Sequence, residues 1–121
     1  DLFNKIKPPY NINSVSQKLA IEALDNITKV NDWIKETVAE RDKLMSEIGK
    51  LPFITKVYPS DANFFLIKTS NPLALYNYLL TNKIIVRDRS KVELCEGCLR
   101  ITVGTKDENI QLINALNNYS V

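Results

Sequence analysis

Arg100 is the residue of this 121-residue sequence whose setting best suits ligand binding. It lies in a short apolar run, residues 98–103, in which strand alternation places Leu99, Ile101 and Val103 on one face and Arg100 on the other. A rigid guanidinium held on a strand is suited to bidentate binding of a carboxylate or a phosphate. The same alternation is equally consistent with a salt bridge to an unrelated carboxylate.

Arg87 is the expected partner of Arg100. It ends a β-rich run, residues 84–87, and about ten polar or turn-like residues separate it from residues 98–103, so the two runs should pair as an antiparallel hairpin. If Arg87 lies opposite Cys98, the two arginines are diagonal neighbours on one face, roughly 7 to 8 Å apart at their backbones, and could hold one dianion. A one-residue slip would put them on opposite faces, and so long a loop does not set the register. Arg87 is also consistent with an ordinary loop charge.

Most other catalytic chemistry is excluded. The sequence has no histidine, so this chain alone cannot form a Ser-His-Asp triad, a Cys-His pair or an imidazole metal site. Cys95 and Cys98 have the C-x-x-C spacing of zinc and redox sites. We interpret them as reduced structural thiols, because a second ligand pair is lacking and Cys98 leads into a β-like run rather than a helix. We predict no catalytic residue, no cofactor-binding residue and no metal ligand in this chain.

The composition is that of one globular domain. The residues are 45% hydrophobic and 25% charged, and 16 basic against 14 acidic side chains leave a net charge of +2. This balance argues against a dedicated nucleic-acid or membrane-surface protein. No apolar run approaches the length that spans a bilayer, and we expect a soluble, cytoplasmic protein.

The expected elements begin after a connector. Residues 1–13 contain Pro8 and Pro9 and show no regular period, so they predict an extended interdomain connector from an upstream part of a longer chain, with the domain proper at residues 14–121. Ser14 and Gln17 fit a capping box that opens a short amphipathic helix. The apolar positions of that helix are Val15, Leu19, Ala23 and Leu24.

A longer helix is predicted over residues 32–48, with Asn31 as its N-cap and Gly49 and Pro52 ending it. Arg41 falls within the apolar stripe of this helix. It would either extend its charged group from the edge of the core or pair with a carboxylate of an adjoining domain. The stripe consists of Ile34, Val38, Met45 and Ile48.

Beyond residue 53 the pattern predicts an α+β fold. Short β-rich runs cover residues 54–58, 63–68, 84–87 and 98–103. Asn71-Pro72 opens a helix to about Thr81, and Thr105 with Glu108 forms a capping box for the last helix. The order ααββαββα predicts a small antiparallel or mixed sheet of about four strands with helices packed on one side. The expected buried positions are Leu73, Tyr76, Leu79 and Leu80 in the first of these helices, and Ile110, Ile113, Leu116 and Tyr119 in the second.

The segments around the arginines also follow a recognisable pattern. They read Val-Arg-Asp-Arg at Arg87 and Gly-Cys-Leu-Arg-Ile-Thr-Val-Gly-Thr at Arg100, with Glu108-Asn109 behind them. With Lys7-Pro8-Pro9-Tyr10-Asn11-Ile12-Asn13, Arg41 and Ser60-Asp61-Ala62-Asn63-Phe64, they resemble the C-terminal part of the histidinol-phosphate aminotransferases over nearly the whole chain. The Cys-Leu-Arg-Ile-Thr-Val-Gly block is specific to that family. The other pieces are shared more widely among fold-type I pyridoxal-phosphate enzymes.

The resemblance implies the small C-terminal domain of a transaminase that acts on L-histidinol phosphate and 2-oxoglutarate in histidine biosynthesis. Arg100 would match the arginine that anchors the substrate carboxylate or phosphate, and Arg87 would match a second arginine directed at the phosphate or the distal carboxylate. Pyridoxal 5'-phosphate would be bound by a larger domain preceding Asp1, in a homodimeric parent. That domain would supply the Schiff-base lysine, so we expect this chain alone to be inactive.

The sequence also bears on three other functions. A related pyridoxal-phosphate decarboxylase or transaminase could reuse this domain for another phosphorylated or aromatic amino compound. A regulatory module could bind an amino acid without performing chemistry. An RNA-binding domain is disfavoured by the near-neutral charge and by the lack of an aromatic RNP1 pattern.

Overall fold

The computed structural model describes residues 12–120, which form four helices and four strands in the predicted order. The α+β fold is therefore confirmed. The proposed connector, residues 1–13, lies almost entirely outside the described residues and stays a prediction. The chain divides between Ile34 and Lys35 into two compact units. The elements are α1 (Ser14–Asp25), α2 (Ile27–Ile48), β1 (Ile54–Val57), β2 (Phe64–Thr69), α3 (Pro72–Thr81), β3 (Arg87–Asp88), β4 (Cys98–Thr102) and α4 (Lys106–Asn117).

Helix α1 has a different cap from the one predicted. Asn13 is the N-cap, and its side chain accepts a hydrogen bond from the backbone N–H of Ser16 at 2.8 Å. The Gln17 side chain donates to the carbonyl of Ile12 instead of closing a box with Ser14. The predicted capping box of Ser14 and Gln17 was therefore wrong. Asn13 has extended backbone directly before Ser14, and an Asn cap satisfies a free N–H of the first turn as well as a Ser cap does.

Helix α2 begins at Ile27, five residues before the predicted start, so Asn31 is inside the helix rather than its cap. No proline or glycine interrupts residues 27–31, and nothing in that stretch stops the helix from extending backward. The predicted stripe is also only partly correct. Ile48 is buried, whereas Val38 is exposed and Arg41 and Leu44 take the buried positions.

The strands form one antiparallel sheet in the order β1-β2-β4-β3. Its core face carries Phe65, Ile67, Leu99 and Ile101, each almost fully buried. Helices α2, α3 and α4 contribute to the same hydrophobic cluster, so they pack on this one face, as predicted. Complete burial of such side chains stabilises the fold by about 1.5 to 3 kcal/mol each. The helical members of the cluster are Leu44, Ile48, Leu75, Leu79, Leu112 and Leu116.

Helix α3 starts where the sequence predicted. The Asn71 side chain accepts from the N–H of Ala74 at 3.1 Å, and Pro72 follows at the first helical position. Its buried face is Leu75 and Leu79, while the predicted Leu73 is exposed. This helix is apolar nearly all round, so its own periodicity could not select the face that meets the sheet.

Helix α4 opens with the predicted capping box. Thr105 and Glu108 exchange both hydrogen bonds of that motif. Leu112 and Leu116 are buried on it, whereas Ile110 is exposed. No helix in residues 12–120 is long and apolar enough to cross a membrane.

Candidate anion-binding site

Arg87 and Arg100 lie on the face of the sheet that the helices leave uncovered. Arg100 is on β4, between β2 and β3, and Arg87 on β3 is its direct partner in the antiparallel register. Directly paired residues share a face, with Cβ atoms about 4.5 to 5.5 Å apart. The structure therefore brings the two sequence-predicted residues together, closer than the predicted diagonal arrangement.

The sequence left the register open, and the observed pairing differs by two residues from the arrangement with Arg87 opposite Cys98. The position opposite Cys98 belongs to Arg89, whose backbone N–H donates to the Cys98 carbonyl at 2.9 Å. A two-residue shift preserves the face, which is why the arginines still meet. Val86 is buried, and it would face the core in either register, because a two-residue shift preserves its face as well.

The Arg100 guanidinium is partly desolvated. Its central carbon lies 4.8 Å from the centre of the Phe64 ring, a cation–π distance. Its Nε is buried and has no hydrogen-bond partner in the described part of the chain. Burial lowers the pKa of Arg100 below its ordinary value, and the positive charges of Arg87 and Arg89 lower it further. A bound anion would offset the cost of burying the Arg100 charge and the repulsion from Arg87 and Arg89.

No carboxylate within residues 12–120 forms an ion pair with Arg87 or Arg100. The acidic residue next to Arg87 in sequence is Asp88. Its Oδ1 accepts hydrogen bonds from the backbone N–H of Ser90 at 2.8 Å and from the Ser90 hydroxyl. These hydrogen bonds lower the pKa of Asp88. The salt bridge that was the alternative explanation for Arg100 is thus not formed in this part of the chain, and the positive charge of the face is uncompensated there.

Arg41 satisfies its donors locally. Its side chain is 11% exposed, and Nε and Nη2 donate to Asp42 Oδ1 at 3.1 and 3.0 Å. Its Nη1 donates to the Ala62 carbonyl at 3.2 Å. The arginine therefore connects α2 to the turn that precedes β2. Its side chain is buried, and among the described residues its carboxylate partner is Asp42 of the same helix.

Asn109 is a residue whose role the sequence reasoning missed. Its buried side chain accepts from the Gly104 N–H at 3.0 Å and donates to the Gly104 carbonyl at 3.2 Å and to Glu40 Oε2 at 2.9 Å. It thereby holds the corner at which β4 passes into α4. The signal was a polar residue one position after the capping box, where the helix turns toward the core.

The two cysteines are free thiols, with Cys98 buried and Cys95 partly buried. Burial raises the pKa of the Cys98 thiol above its ordinary value, and a hydrogen bond with Tyr58 acts against that rise. No group of three potential metal-ligating acids or thiols occurs in residues 12–120. The raised pKa supports the interpretation of Cys98 as a structural residue, because reactive thiols require a lowered pKa.

Comparison with known proteins gives consistent matches. The family described as aminotransferase class I and II matches residues 1–116. The histidinol-phosphate aminotransferase of Cytophaga hutchinsonii is 48% identical over 98% of this chain, and that of Flavobacterium psychrophilum is 50% identical over 95%. The crystal structure of the histidinol-phosphate aminotransferase from Clostridium acetobutylicum matches 93% of the chain, with a TM-score of 0.79 and 28% identity.

The matches cover only part of each relative. This chain covers 34% of the Cytophaga protein, 33% of the Flavobacterium protein and 36% of the Clostridium chain. It therefore spans about a third of the length of the proteins that it matches.

Proposed function

Because this chain belongs to the class I and class II aminotransferase family, we propose that it is the substrate-anchoring domain of a histidinol-phosphate aminotransferase. The longer polypeptide would move the amino group of L-histidinol phosphate to 2-oxoglutarate, giving imidazole-acetol phosphate and L-glutamate, as a step of histidine biosynthesis. The names of the most similar relatives support this substrate pair. The observation that carries the anchoring role is the pairing of Arg87 with Arg100 on a face where no described carboxylate neutralises them.

Arg100 is the principal anchor in this proposal. It lies on a central strand, its guanidinium is supported by the Phe64 ring, and its Nη atoms form no hydrogen bond within residues 12–120. These two donors suit the two oxygens of a carboxylate, or two oxygens of a phosphate. The same site can therefore accept the carboxylate of glutamate or 2-oxoglutarate and the phosphate of histidinol phosphate in turn.

Arg87 supplies the second charge. It is on the edge strand and exposed, so its side chain can turn toward the more distant of two anionic groups. A dicarboxylate and a phosphate both carry close to two negative charges near neutral pH, which matches two guanidinium groups better than one.

The residues described here do not fit the cofactor. A pyridoxal-phosphate site needs a lysine enclosed near the reacting centre, and no lysine within residues 12–120 is buried. We therefore assign pyridoxal 5'-phosphate and the Schiff-base lysine to the remainder of the longer polypeptide, together with the catalytic step. The homodimeric state and the cytoplasmic location expected from the family resemblance belong to this proposal as well.

Steady-state kinetics of the longer enzyme with both substrates test the proposal. Arg100→Lys keeps the charge but loses the planar pair of donors, and we expect kcat/KM to fall by roughly one to three powers of ten for both substrates. Arg89→Lys is the matched control, because Arg89 lies opposite Cys98 rather than Arg100. This variant should change kcat/KM by less than about threefold. An unchanged kcat/KM in Arg100→Lys would refute the anchoring role.

A further inference from the structure

The Arg100 side chain leans in a defined direction along the sheet. Across β2, Arg100 is paired with Leu66, whereas Phe64 is paired with Thr102. The guanidinium nevertheless lies over Phe64, at 4.8 Å from its ring centre. It has therefore extended toward the Thr102 end of β4 and away from Cys98, so the positive charge lies over the aromatic ring.

The contact also determines which donors are available. Nε is buried without an acceptor in the described residues, so it cannot take part in a side-on interaction with an anion. The Nη1 and Nη2 atoms are not enclosed in this way, and no hydrogen bond within residues 12–120 involves them. An anion therefore meets Arg100 end-on, through the two terminal nitrogens.

Phe64 is itself held by the turn that precedes it. The Ser60 hydroxyl donates to the Phe64 carbonyl at 2.5 Å and accepts from the Ala62 N–H at 3.1 Å. The Ala62 carbonyl accepts from Arg41 Nη1 on helix α2. A buried arginine and a serine turn thus fix the backbone from which the aromatic ring projects.

From these contacts we propose that Phe64 is a positioning residue for Arg100, whose ring holds the guanidinium so that Nη1 and Nη2 face the substrate carboxylate or phosphate end-on. The inference rests on the proposed function, since it concerns the same anion site. It gives the Ser60-Asp61-Ala62-Asn63-Phe64 segment a role in the anion site: the segment supports Arg100 through the Phe64 ring. Phe64 need not touch the reacting atoms.

The test uses the longer enzyme, with kcat and KM measured separately for 2-oxoglutarate and L-histidinol phosphate. Phe64→Leu keeps an apolar side chain but removes the π face, and we expect KM for both substrates to rise by about three- to thirtyfold with kcat within about twofold. Phe64→Tyr retains the ring and should restore KM to within about twofold of the original. If Phe64→Leu does not fold, Phe64→Met makes the same change with an unbranched chain.

Two further variants separate positioning from loss of stability. Phe53→Leu removes a buried aromatic ring from the core, and should lower Tm while leaving KM unchanged. In an Arg100→Lys background, Phe64→Leu should change KM by less than about twofold, because the ring acts through the guanidinium. Equal effects of Phe64→Leu in both backgrounds would overturn the inference, as would an unchanged KM in a folded Phe64→Leu protein.

The outcome also distinguishes this inference from the proposed function. If Arg100→Lys lowers kcat/KM and folded Phe64→Leu does not alter KM, the anchoring role stands and the positioning role fails. If Arg100→Lys itself has no effect, the proposed function fails, whatever the Phe64 variants show.

Discussion

Arg87 and Arg100 are direct cross-strand partners, so two guanidinium groups share one face of the sheet with no described carboxylate between them. Like charges in directly opposed positions destabilise a sheet. The repulsion acts between the central strand β4 and the edge strand β3, beside a partly desolvated Arg100. Such an arrangement is typical of a site whose ligand supplies the missing charge.

Replacing Arg87 should therefore stabilise the free 121-residue chain. We expect Arg87→Gln to raise the free energy of unfolding by about 0.2 to 1 kcal/mol at low ionic strength, because it removes the repulsion across the strand pair. Urea denaturation at low and high salt measures the difference, which should shrink as salt screens the charges. Lys91→Gln, in the loop after β3, is the control. A destabilised Arg87→Gln protein would contradict the repulsion argument.

Asn109→Ala should be among the more damaging polar substitutions in the second unit. It removes the hydrogen bonds to the Gly104 N–H, the Gly104 carbonyl and the Glu40 carboxylate, and each lost bond should cost about 0.5 to 1.5 kcal/mol. The urea midpoint compares it with Asn117→Ala, an exposed residue of the same helix. Similar midpoints for the two variants would show that the corner does not depend on this amide.

The α4 capping box should make stability depend on acidic pH. The backbone N–H and hydroxyl of Thr105 donate to Glu108 Oε2 at 2.7 and 2.8 Å, and they lower the pKa of Glu108 in the folded state. Since the folded pKa is depressed, the contribution is complete above about pH 5 and is lost as pH falls through the folded value.

The variant Glu108→Gln measures this contribution. The difference in urea midpoint between the original chain and Glu108→Gln should be largest near neutral pH and should decrease toward pH 3. Thr105→Ser, which keeps the hydroxyl, should behave like the original chain, whereas Thr105→Val should resemble Glu108→Gln. A difference that does not vary with pH would show that the carboxylate charge is not involved.

The two thiols should differ in reactivity. Cys98 is 1% exposed and its pKa is raised by burial, whereas Cys95 is partly exposed. In the native chain an aromatic disulfide reagent should modify Cys95 readily and Cys98 only after denaturant is added. Cys95→Ser should then show almost no native-state reaction. Equal native rates for both thiols would argue against Cys98 as a buried structural residue.

Local patterns were sufficient where the physical signal is local. The caps Asn71 and Thr105 depend on hydrogen bonds that reach three residues, and both were predicted correctly. Alternation along β4 correctly placed Arg100 on the other face of the strand from Leu99 and Ile101, because alternation is also a local property. Where two local solutions compete, as at Asn13 and Ser14, the pattern could not choose between them.

The sequence by itself determined the element order, the α+β class and the identity of both candidate arginines, because periodicity and capping are properties of adjacent residues. Only the tertiary structure decided the register that pairs Arg87 with Arg100, the direction in which Arg100 extends over Phe64, and the network of Asn109. Those relationships depend on which apolar side chains the sheet and helices bury together. Burial of apolar surface involves several segments at once, so no single segment contains the information alone.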